Sequence, residues 1–149
     1  MPVIDRQHIG KTLAPSTAEV EKGRLRFFAK AIGETDPIYT EEAAAQAAGY
    51  ASLPVPPTFF FSLEMERPDP LAWLTEIGVD LARILHGEQS FTYHAPACAG
   101  DTLTFESRID DIYDKKDGAL TFLVRSVKVT NQRGEHVAGL RSSIVHRNA

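Results

Sequence analysis

Within the six residues from Glu34 to Tyr39 the chain places two carboxylates, Glu34 and Asp36, and a phenol, Tyr39, around the turn-forming Pro37. Carboxylates are ordinary donors and acceptors of protons in catalysis, and two of them in unlike environments divide into one acid and one base. A phenol ionises near pH 10 (about 10), so Tyr39 is a poor base at neutral pH but serves as an acid or a hydrogen-bond donor. Glu34, Asp36 and Tyr39 are therefore the candidate catalytic group. Other reactive types are scattered. His86 precedes Glu88 without a third ligand at metal-binding spacing, and His8, His94, His136 and His146 lie far apart in the chain, so no metal site is expected. The lone Cys98 has no neighbouring base or cation in sequence, which argues against a nucleophile.

The elements that position these groups follow from apolar spacing. Leu25, Phe28, Ala29 and Ile32 recur at i, i+3, i+4 and i+7, one face of an amphipathic helix over about 22–32, with Gly33 suited to its C-terminal cap. Ser16 and Glu19 have capping-box spacing, but Gly23 inside a longer helix would cost about 1 kcal/mol, so a short strand is expected before it. A second helix is expected over about 40–48, with the Thr40 hydroxyl as cap, Glu41 and Glu42 in its first turn and Gly49 at its end. Pro54, Pro56 and Pro57 exclude helix until Thr58. The run 59–63 is apolar on nearly every side. Pro57 at its first turn favours a helix wrapped by the rest of the fold. Leu71, Trp73, Leu74 and Ile77 suggest one more short helix.

The second half reads as strands over 88–94, 102–113, 120–130 and 136–146. Turns fall at Lys116-Asp117-Gly118 and at Asn131-Gln132-Arg133-Gly134. Helices followed by a meander imply an α+β class with one antiparallel sheet and helices on one face. Strands of ten or more residues exceed the usual five or six, so the sheet must curl, here around the apolar helix.

A chain of 149 residues is expected to be a single domain, 1–149, able to bury roughly 70% of its unfolded surface. Its net charge of −4 gives no reason to expect nucleic acid. One cysteine excludes an intrachain disulfide and fits a reducing compartment. No apolar run is long enough to span a bilayer, and residues 1–6 have neither the basic nor the apolar part of a signal peptide, so a cytoplasmic location is the default. Arg24, Arg26, Arg125, Lys128 and Arg141 include candidates for binding the phosphates of coenzyme A. The sequence does not show them converging, and solvated surface is the expectation for them.

The segment 28–39, the stretch Pro56-Pro57-Thr58-Phe59, His86-Gly87-Glu88-Gln89 and Pro96 with Gly100-Asp101-Thr102-Leu103 together resemble the MaoC-like dehydratase family, in particular its N-terminal, fatty-acid-synthase-type branch. The likeness runs from about Val20 to Val145. It implies a hotdog fold: a curved antiparallel sheet wrapped around a central apolar helix, joined to a second hotdog edge to edge. It also implies a reaction, the reversible addition of water to a 2-enoyl thioester of coenzyme A or acyl carrier protein. That reaction needs a base at the α proton or the water, an acid at the leaving oxygen, and an N–H donor for the developing enolate oxygen. No cofactor beyond the thioester substrate is implied.

Active members of the family carry Gly-Asp-x-Asn-Pro-x-His. Carried over by position, the Asp is Glu34, the Asn is Asp36 and the His is Tyr39. Glu34 extends the carboxylate by one methylene, and a displacement of about 1 Å can cost 100-fold in rate. The leading expectation is therefore a non-catalytic, acyl-binding subunit whose partner is a MaoC-like chain with an intact Asp/His site. A divergent hydratase using Glu34, Asp36 and Tyr39, and a homodimeric acyl-thioester binder or thioesterase, are the alternatives. Pro57, Thr58, Phe59 and His86 are the candidate substrate-binding residues, with the Thr58 N–H as the donor to a thioester carbonyl. For His86 the competing expectation is a strand-edge imidazole bonded to backbone.

Overall fold

The computed structural model describes residues 3–148. Met1, Pro2 and Ala149, which enter the N-terminal and single-domain readings, lie outside the described residues. Five strands form one antiparallel sheet: β1 (Ser16–Glu19), β2 (Ile84–Tyr93), β3 (Thr102–Lys115), β4 (Leu120–Thr130) and β5 (His136–Arg147), in spatial order β1-β3-β4-β5-β2. Among the described residues four α-helices accompany it: α1 (Lys22–Ala31), α2 (Glu42–Ala47), α3 (Phe59–Glu64) and α4 (Ala72–Glu76). This is the expected α+β hotdog arrangement.

The two turns joining β3, β4 and β5 have physical causes. Asp117 and Gly118, the central residues of a turn closed by the Ala119 N–H to the Lys116 carbonyl (3.0 Å), both take positive φ, as a primed turn demands. At the next turn the Asn131 side-chain oxygen accepts the N–H groups of Arg133 (3.0 Å) and Glu135 (3.1 Å). Strand register shifts between Ile109 and Asp111, between Val129 and Thr130, and between His86 and Glu88. Each such irregularity bends its strand and raises the local twist, which turns a long sheet into a curled one.

The concave face holds two apolar clusters. In one, Phe59, Phe60 and Leu63 of α3 pack with Phe105, Val127, Val129 and Leu140. In the other, Trp73, Leu74 and Ile77 of α4 and its end pack with Ile109, Ile112 and Leu123. Each such side chain, fully buried, contributes about 1.5–3 kcal/mol. Between the clusters lies an ion pair from Glu64 of α3 to Arg125 of β4, both no more than 9% exposed. The Arg125 guanidinium also sits 5.3 Å from the Trp73 ring, a cation–π contact. Burial pushes the Arg125 guanidinium down to about 10, which leaves it protonated at neutral pH.

Several local expectations are corrected. Arg125 is not solvated surface but the centre of this buried pair. Ile32 is 54% exposed, because α1 ends at Ala31 and the chain turns away before Ile32 completes the apolar face. α2 starts at Glu42 rather than at a Thr40 cap; the Thr40 N–H instead closes the preceding turn on the Pro37 carbonyl (3.2 Å). Pro57 precedes the capping residue Thr58 and stands outside the first turn of α3. β2 begins at Ile84, four residues early, so His86 lies inside the strand. The Ser16–Glu19 stretch is strand, as preferred over the capping box.

Removing one member of a buried pair strands the other charge. Glu64→Ala should lower stability by about 3–5 kcal/mol, seen as a fall in the denaturation midpoint. The double replacement Glu64→Leu with Arg125→Met should recover most of that loss.

Candidate functional site

The segment bearing Glu34 is aimed by the end of α1. Gly33 takes φ +72°, its N–H donates to the Lys30 carbonyl (3.2 Å), and the Glu34 N–H reaches the Ala29 carbonyl (2.9 Å). This paired bonding reverses the chain at a residue without a Cβ penalty. The end of α2 repeats it: Gly49 has φ +98°, its N–H donates to the Gln46 carbonyl, and the Tyr50 N–H donates to the Ala45 carbonyl, both at 3.0 Å. The two caps place the turn that leads to Tyr39, and Tyr50 itself, beside one another.

Both carboxylates of the turn are used in holding it. Glu34 Oε1 accepts the N–H groups of Thr35 and Asp36, each at 3.0 Å. Asp36 Oδ1 accepts the Ile38 N–H at 3.1 Å and so caps the short helical turn Pro37–Tyr39.

Beyond that turn opens a cleft of about 380 Å³, lined by Tyr39, Tyr50, Pro57, Phe60, Tyr93 and His94, with residues 54–55 and 95–97 completing the wall. The Tyr93 hydroxyl donates to the Pro57 carbonyl at 2.8 Å, joining the end of β2 to the entry of α3. Burial, followed by the charge of Glu34 and then Tyr50 and Asp36, raises the Tyr39 phenol above its ordinary value. Burial likewise raises Tyr93. Both phenols are therefore neutral at physiological pH. Neither abstracts protons; Tyr39 can donate a hydrogen bond to a carbonyl or hydroxyl, whereas the Tyr93 proton is already given to Pro57. A larger hollow of about 500 Å³ lies between residues 11–17 and 66–76, but it holds none of the candidate residues and its wall includes the paired ions Lys11 and Glu76.

The structure brings Tyr39 and Pro57 together in the cleft and sets Glu34 and Asp36 on the adjoining turn. Thr58 is exposed at the start of α3, and among the described residues no backbone carbonyl accepts its N–H. Phe59 is 5% exposed, packs its ring against Phe28 at 4.7 Å, and does not line the cleft; Phe60 does. His86 stands about 20 Å along β2 from Tyr93 at ordinary strand rise. Its Nε2 lies 3.0 Å from the Glu88 carbonyl and its ring 5.5 Å from Phe61, so it has the backbone-bonded geometry and is apart from the cleft. Among the described residues no group of three His, Cys, Asp or Glu side chains comes together as a metal site.

Sequence reasoning missed Tyr50, Tyr93 and His94. One signal was available: Tyr50 follows a helix-ending glycine just as Glu34 does. Tyr93 had none, since only folding brings the end of β2 against Pro57.

An absorbance titration checks the electrostatics. Tyr39→Phe should remove a phenol that ionises above pH 10 (about 10). Glu34→Gln should move the Tyr39 transition to lower pH, because removing a neighbouring negative charge eases formation of the phenolate.

The comparisons with known proteins agree with this fold. A UPF0336 protein of Saccharopolyspora erythraea is 36% identical over 145 residues, covering 97% of this chain and 92% of the relative. Among solved structures, the C-terminally truncated HadBC complex of Mycobacterium tuberculosis, a 3R-hydroxyacyl-ACP dehydratase, superposes with a TM-score of 0.81 at 27% identity, covering 93% of this chain and 96% of that one. The ChsH1–ChsH2 complex of the same organism has the same fold, with a TM-score of 0.75 at 24% identity over 91% of this chain and 84% of that one. The family described as FAS1-like, dehydratase domain region, matches residues 7–140. The chain belongs to this FAS1-like dehydratase domain family and to the UPF0336 proteins.

Proposed function

We propose that this chain is the non-catalytic, acyl-binding half of an enzyme that hydrates 2-enoyl thioesters or dehydrates 3-hydroxyacyl thioesters. The observation that carries this reading is the occupation of Glu34. Its Oε1 accepts two backbone N–H groups of its own turn, while Tyr39, in the position of the family's base, is held protonated. A base engaged in capping and a phenol kept neutral suit binding better than proton abstraction. In this reading the cleft holds the acyl thioester, with the Tyr39 phenol free to donate to its oxygens and the Thr58 N–H next to the cleft-lining Pro57.

A partner is supported by β2. It is ten residues long, ends the sheet, and exposes most of its side chains, with Leu85 55% exposed. A long unpaired edge is a template for another strand. The sheet's other end, β1, is only four residues. The HadBC and ChsH1–ChsH2 structures are of complexes, which fits a second hotdog, with an intact Gly-Asp-x-Asn-Pro-x-His motif, paired along β2.

Coexpression with such a partner should yield a complex that hydrates an enoyl thioester, followed by loss of enoyl absorbance, while the chain alone does not. In that complex Glu34→Gln should change kcat only a few-fold. Turnover by the chain alone that falls by about 100-fold in Glu34→Gln would instead establish the divergent hydratase.

A further inference from the structure

The outer face of the sheet carries a second hollow that acyl binding does not use. Strand alternation sends two cross-strand rows outward: Thr92, Gly139 and Lys128, and beside it Ser90, Arg141 and Ser126. With His136 they line a groove of about 300 Å³. Of the five cations that the sequence leaves scattered, Lys128 and Arg141 are thus brought together, while Arg125 is buried and Arg24 and Arg26 lie on α1.

The groove is open because Gly139 has no side chain. A Cβ there would meet nothing nearer than the Val127 carbonyl at 4.0 Å, so packing does not require the glycine. Glycine weakens the interior of a strand, and one that packing does not need marks a place where another group approaches the backbone. The charge is also suited to an anion. Asp110 is shared by Arg108 Nε (3.0 Å), Arg141 (2.9 Å) and the Ser126 hydroxyl (3.0 Å). Lys128 forms no ion pair among the described residues, although Glu106 stands opposite it on β3. Three cations, Arg108, Lys128 and Arg141, thus face two carboxylates in a chain whose net charge is −4.

Groove and cleft meet at the end of β2. His94 lines the cleft, His136 lines the groove, and their rings are 4.2 Å apart. We propose that the groove binds the phosphate of a phosphopantetheine arm whose thioester and acyl end occupy the Tyr39–Tyr93 cleft. This rests on the acyl-thioester reading above. A phosphate presents acceptor oxygens that match a guanidinium, an ammonium and the hydroxyls of Ser90 and Thr92.

Calorimetry at low salt tests it. The chain should bind 4′-phosphopantetheine about tenfold tighter than pantetheine, the size of one charge-assisted contact. Lys128→Gln and Arg141→Gln should each remove most of that preference and leave pantetheine binding unchanged. Gly139→Val should abolish the preference with Tm unchanged or raised. Separate titrations with coenzyme A and with a holo carrier protein, each in the wild type and Lys128→Gln, identify which source supplies the arm. Equal affinity for the two pantetheines, or a preference that survives in the Lys128→Gln, Arg141→Gln double variant, overturns the groove. The underlying reading is decided separately, with an enoyl pantetheine thioester that has no phosphate, given to the coexpressed complex. Its turnover without a phosphate preference overturns the groove alone. A phosphate preference without any turnover overturns the thioester reading and leaves an anion groove.

Discussion

Helix α3 has six residues, too few to persist without tertiary support, and its place in the fold is set by the ion pair between Glu64 and Arg125. Apolar packing of Phe59, Phe60 and Leu63 buries the helix, and the ion pair adds a directional constraint to it. A buried carboxylate and a buried guanidinium cannot slide, since separating them leaves each charge without a partner in a poor solvent for ions. Together with the packing of Phe59, Phe60 and Leu63, the pair holds α3 over β4, and with it Pro57 and Phe60. The Tyr93–Pro57 hydrogen bond and the walls of the cleft depend on that placement. The same pair divides the concave face, with the α3 cluster toward the cleft and the α4 cluster beyond.

The cleft sets a neutral donor, the Tyr39 phenol, beside charged groups that are already committed. Glu34 and Asp36 stabilise a turn, and burial, with their negative charge behind it, raises the neighbouring phenol of Tyr39 above its ordinary value. Burial and the neighbouring charges work against Tyr39 serving as a base. In the proposed reading the turn has a positioning role, and the long edge of β2 would meet the partner that supplies the base.

Much of the architecture was legible because it rests on local rules. The β4 bounds, the strand before Gly23, the helix over the apolar run after Thr58 and the caps at Gly33 and Gly49 follow from periodicity, proline and glycine. The misreadings arise where a distant partner overrides a local preference. Ile32 has the right spacing for the core but no element covers it. Thr40 has a capping hydroxyl, yet its N–H is taken by Pro37 and its carbonyl by Arg26. Arg125 looks like one more surface cation until Glu64, 61 residues away in sequence, reaches it.

The segment from Glu34 to Tyr39 shows the same division. Its residue types and spacing, set by the sequence alone, determined that two carboxylates and a phenol share one tight turn after a helix, and that the phenol is no base at neutral pH. Which groups complete the site was decided only by the tertiary structure. Tyr50, Tyr93 and His94 come from elements far apart in the chain, and the cations Lys128 and Arg141 become neighbours only through strand register. Side-chain type and short spacing are properties of the chain, whereas convergence across a sheet depends on which strands pair and how the sheet curls, and those are settled by burial of the whole core.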